Sequence, residues 1–140
     1  MYSLRIRNVM ERKKRLTAAP DLTVTKAALK MREKNVGAVM VVEDGRLIGI
    51  FTERDAVFRV IAARRSPCET TIGEVMTRDP LTASPEETFG HALHVMYEKG
   101  FRHLPVVEDG KCVGIVSARS ALDPDMEEFV AETQRRLHIR

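Results

Sequence analysis

Thr52 and Asp55 are the pair of residues in this 140-residue chain best spaced for chemistry. They are a hydroxyl and a carboxylate three positions apart, where the apolar run Gly49-Ile50-Phe51 gives way to a helical pattern. At a helix start such a pair can satisfy free backbone N–H groups reciprocally, as a capping box. It can instead serve a ligand, because a carboxylate accepts hydrogen bonds from both hydroxyls of a ribose and a helix N-terminus offers donors and partial positive charge to a phosphate. Spacing alone favours the cap. The pattern returns 65 residues later as Gly114-Ile115-Val116-Ser117, with Ser120 standing where the first copy has Asp55.

Other polar residues say less. Arg102 and His103 precede a second apolar strand where the first copy has Gly37 and Ala38, and they read either as surface solvation or as a phosphate contact. His91 and His94 lie three apart on a helical pattern, but a metal site needs further ligands, so surface histidines are the simpler reading. Cys68 and Cys112 have no metal-type spacing and fit two ordinary thiols in a reducing, cytoplasmic compartment. The basic run Arg12-Lys13-Lys14-Arg15 reads as a solvated segment. No nucleophile beside a base, no Walker-type loop and no metal-ligand set is visible, so the residues do not point to an enzyme. A net charge of +3 on a surface dense in both signs is too small an excess to argue for nucleic acid. The apolar runs are too short to span a membrane and the N-terminus lacks a signal-peptide core, so neither a membrane nor secretion is expected.

The elements that must position these residues follow from periodicity. Val24, Ala27, Ala28 and Met31 form a helical stripe after a candidate cap, Thr23, and the helix should end near Asn35. Val36 to Val42 and Leu47 to Phe51 read as strands of a hairpin turning at Asp44-Gly45. Ala56, Val57, Val60 and Ile61 resume the helical spacing until Arg64-Arg65-Ser66-Pro67. After a linker the order repeats: 18 of 42 positions between Leu16–Val57 and Leu81–Leu122 are identical without a gap, far above chance. One supersecondary unit has been duplicated once. We divide the chain at residues 1–66 and 67–140, with a last helix starting near Asp123-Pro124-Asp125 and carrying the stripe Met126, Phe129 and Val130.

Helix, strand, strand, helix, written twice around Val-Met, Pro, Val-Val-Glu-Asp-Gly and Gly-Ile-hydroxyl, resembles a tandem pair of cystathionine β-synthase (CBS) domains, the Bateman module. The resemblance runs from Ile6 to about Phe129. It implies an α/β fold of the α+β type, with two small sheet-and-helix units related by a pseudo-twofold axis and clefts for adenosine-containing ligands. Carried over residue by residue, one cleft combines Ile50, Thr52, Arg54 and Asp55 with Leu81, Thr82, Phe101, Arg102 and His103. The other would combine Ile115, Ser117 and Ser120 with Leu16, Thr17, Val36, Gly37 and Ala38, without the carboxylate or the basic pair, and is expected to be weak or silent. The implied role is a regulatory adenine-nucleotide sensor, with AMP first and ADP or ATP as alternatives, that performs no catalysis and passes ligand state to a partner protein. The alternative is a protein or nucleic-acid docking module with a vestigial cleft. The apolar faces around Val57, Val60 and Ile61 and at the C-terminus further suggest a homodimer.

Overall fold

The computed structural model describes residues 3–12, 15–121 and 135–136. A single helical turn, α1 (Ile6–Val9), precedes the short strand β1 (Thr17–Ala18) and the helix α2 (Val24–Lys34). The Thr23 hydroxyl caps α2 by accepting from the Lys26 N–H at 3.3 Å, and Asn35 ends it in the left-handed region at φ 54°. β2 (Ala38–Glu43) and β3 (Arg46–Thr52) pair antiparallel. Both residues of their turn have positive φ, Asp44 at 52° and Gly45 at 77°, as a type I′ hairpin requires.

The helical turn α3 (Glu53–Asp55) then opens into a π-helical segment, Ala56–Ile61. The wider winding is visible in the hydrogen bond from the Ala62 N–H to the Val57 carbonyl at 2.8 Å. Of the stripe expected here only Val60 is buried, while Val57 and Ile61 are 49% and 69% exposed. The order repeats through α4 (Ile72–Val75), β4 (Thr77–Arg78), α5 (Phe89–Lys99), β5 (His103–Glu108) and β6 (Lys111–Ser117), with a 3-10 turn at Ala118–Ala121. The helix expected from Asp123 lies outside the described residues except for Arg135 and Arg136.

The sheets explain why the lead-in segments matter. The first sheet runs β1-β2-β3-β4, with β1 parallel to β2 and β4 antiparallel to β3. The second, β5-β6, carries single bridges at the corresponding edges, Ala83 parallel to Val106 and Glu11 antiparallel to Ile115. Each unit is therefore completed by the segment that precedes the other repeat. Ile72, Val75 and Met76 enter the core of the first unit beside Val24, Val39 and Phe51. Ile6, fully buried, enters the core of the second beside Phe89, Leu104 and Val116. Each core thus includes side chains from both sides of residue 66. A third apolar cluster, Ala38, Met40, Ile50 and Ile115, joins the two sheets.

Two glycines allow the exchange. A Cβ on Gly49 would lie 2.9 Å from the Thr77 carbonyl oxygen, and one on Gly114 would lie 3.2 Å from that of Glu11. The edge segment of each sheet can approach only where β3 or β6 carries no side chain. Arg7 fastens the first exchanged segment by donating to Glu86 at 2.5 Å and Glu108 at 3.0 Å, and these carboxylates raise its pKa further.

Candidate functional site

Where the two sheets meet, β2 and β6 enclose a cavity of about 530 Å³. Its floor is apolar: Ala38, Met40 and Ile115, all from the cluster that joins the units. The end of α2 and the start of β2 supply Asn35, Val36 and Gly37, and the end of β6 supplies Ser117, Ala118 and Arg119. The charged groups come from four separate segments: Glu11 beside its bridge to Ile115, Glu53 at the start of α3, Arg102 and His103 at the start of β5, and Arg119 after β6. They converge because residues 37 and 102, and 38 and 103, are counterparts 65 positions apart and meet across the pseudo-twofold axis. A Cβ placed on Gly37 would lie 2.9 Å from Glu53 Oε1 and 3.2 Å from His103 Nε2, so the two side chains flank this glycine. Burial pushes the His103 pKa down, Arg102 adds to the effect, and Glu53 opposes it.

Of the nine residues expected to form one cleft, Arg102 and His103 line this cavity. Ile50 packs beneath it in the joining cluster. Thr52 and Asp55 form the capping box: Asp55 Oδ2 accepts from the Thr52 N–H at 2.9 Å and from its Oγ1 at 3.2 Å, while the Asp55 N–H donates back to Oγ1 at 3.4 Å. Asp55 Oδ1 lies 3.5 Å from Arg59 Nε, and Arg59 donates to the carbonyls of Val75 and Met76 at the end of α4. The carboxylate is therefore engaged and buried, not presented to the cavity. Arg54 lies over the Phe58 ring at 5.1 Å. Leu81 and Thr82 are exposed in the segment before Ala83, and Phe101 packs on the second core.

The cavity also draws on Ile115, Ser117, Val36, Gly37 and Ala38, which belong to the cleft expected to be silent. Carboxylates and cations enter this cavity from Glu11, Glu53, Arg102 and Arg119. Glu11, Glu53 and Arg119 were missed as lining residues. Arg119 had a signal, since it is the counterpart of Arg54, and Glu11 follows the same Val-Met pair that precedes Thr77.

The profile of the CBS domain matches residues 6–62 and 72–125. The chain belongs to the CBS domain family. This tandem CBS chain is 36% identical over 120 residues to an uncharacterised protein of Methanopyrus kandleri, an alignment covering 84% of this chain and 60% of that protein. It is 35% identical to a CBS domain-containing protein of Arabidopsis thaliana across 86% of this chain and 61% of the relative. It therefore spans about three fifths of the length of these curated relatives. A solved structure from Pyrococcus horikoshii superposes with a TM-score of 0.82 at 30% identity, covering 89% of this chain and 94% of that one. A CBS domain pair solved with 5′-methylthioadenosine and S-adenosyl-L-methionine superposes with a TM-score of 0.79 at 25% identity, covering 89% and 98%. Among the described residues no helix is long and apolar enough to cross a membrane, and no cluster of three or more His, Cys, Asp or Glu side chains suits a metal.

Proposed function

We propose that this CBS pair is a cytoplasmic regulatory module that binds an adenosine-containing ligand, AMP first among them, without catalysing a reaction, and transmits its occupancy to a partner protein. The observation that carries the reading is the inter-unit cavity, whose volume suits a nucleoside phosphate and whose apolar floor lies beside convergent cations. The adenine would lie on Ala38, Met40 and Ile115, with the phosphate toward Arg102 and Arg119. The related pair that holds two adenosine derivatives supports the ligand class. The cleft built on Ile50, Thr52, Arg54 and Asp55 with Leu81, Thr82 and Phe101 is a second position in this proposal, opened when Asp55 leaves Thr52 and Arg59. A homodimer belongs to the same reading, because Val57, Phe58 and Ile61 expose a contiguous apolar face.

Calorimetric titration with AMP and adenosine tests the reading. Arg102→Ala should weaken AMP about ten- to hundredfold, the usual worth of a hydrogen bond to a charged group, and spare adenosine. Absence of binding by every adenosine ligand at millimolar concentration would favour a docking module instead.

A further inference from the structure

We infer that Glu11 and Glu53 make the inter-unit cavity a charge filter, admitting an adenosine ligand with at most one phosphate and turning away ADP and ATP; this rests on the adenosine-binding reading above. Among the described residues two guanidiniums, Arg102 and Arg119, and two carboxylates, Glu11 and Glu53, line the cavity, and these four charges cancel. Burial disfavours the charged form of His103. A monophosphate brings about two negative charges and each further phosphate adds to them. The first phosphate can be matched by the two arginines, whereas a longer chain must also lie near the acids.

Both acids stand on main chain that is held by hydrogen bonds. Glu11 is held to the floor by paired hydrogen bonds, its N–H donating to the Ile115 carbonyl at 2.9 Å and accepting at its own carbonyl from the Ile115 N–H at 3.1 Å. The Glu53 N–H donates to the Gly37 carbonyl at 3.0 Å, and its carboxylate sits at the Gly37 wall beside His103. Glu11 follows the Val-Met pair that opens the first matched segment, and its counterpart beside β3 is the uncharged Thr77. The filter is therefore a property of this cavity and not of the duplicated pattern.

The test is titration of the full chain with adenosine, AMP, ADP and ATP in EDTA at low salt, beside the E11Q/E53Q double variant. The wild type should bind AMP about tenfold or more tightly than ATP, since like-charge repulsion at a partly screened surface site is of that order. In the double variant the AMP-to-ATP affinity ratio should fall about tenfold. In the wild type the preference should narrow at high salt, a readout that needs no substitution. ATP binding as tightly as AMP in the wild type, or an AMP-to-ATP ratio unmoved by both the variant and salt, would overturn the filter while leaving the adenosine site standing. Failure of all four ligands, adenosine included, would remove the adenosine reading and the filter with it.

Discussion

The Asp55 carboxylate accepts from Thr52 through one oxygen and faces Arg59 through the other, and Arg59 in turn holds the last carbonyls of α4. A residue that the family resemblance assigned to a ribose thus has structural work to do in the absence of any ligand. Asp55→Ala should lower the stability of the ligand-free protein by about 1–2 kcal/mol, the usual worth of a helix cap. That corresponds to a drop of about 3–8 °C in melting temperature for a chain of this size. If Asp55 served only a ligand, the ligand-free melt would be unchanged. His103 gives a second expectation. Its folded pKa is depressed, chiefly by burial, so as pH falls the unfolded chain takes up its proton first and the native state loses stability. The loss should set in below about pH 6.5, the ordinary histidine value, and level off below the lowered folded one. Melting curves from neutral to mildly acidic pH should show this loss in the wild type, and His103→Gln should diminish it.

Helices and hairpins were legible because their signals are local. Thr23, the i, i+3, i+4 stripe from Val24 and the Asp44-Gly45 turn each specify geometry within a few residues. The exchange of lead-in segments was not, since it rests on a two-residue strand and single bridges too short to leave a periodic pattern. The same holds for the site: the resemblance supplied Arg102 and His103, but the cavity gathers side chains from positions as distant as Glu11 and Arg119, and only pairing across the axis brings them together. The energetic weight of the exchange can be measured at Ile6, which is fully buried in the second core although it stands at the start of the first matched segment. Ile6→Ala should cost about 2–5 kcal/mol in denaturant titration, as for other large-to-small core changes. A cost below about 0.5 kcal/mol, typical of surface positions, would show that α1 does not hold the second unit together.

At the scale of the molecule, the two units share the apolar cluster of Ala38, Met40, Ile50 and Ile115, yet leave Val57, Phe58 and Ile61 at 49%, 60% and 69% exposure on one helical face. Such a face, continuous with the partly buried Ala56, suits a second copy of the chain better than water. Light scattering at tens of micromolar protein should give the dimer mass, and Phe58→Glu should shift it toward monomer by placing a charge in the contact. A monomer mass for the wild type would remove the dimer.

The closure of each core by a segment from elsewhere in the chain fixes an order of events during synthesis. When the first repeat has left the ribosome it still lacks Ile72, Val75 and Met76, so its core cannot close until the second repeat has begun to emerge. Ile6 waits longer, since the strand that completes its surroundings, ending at Ser117, is made more than a hundred residues later. Each core thus takes side chains from parts of the chain made far apart in time, and the two cores depend on one another for completion.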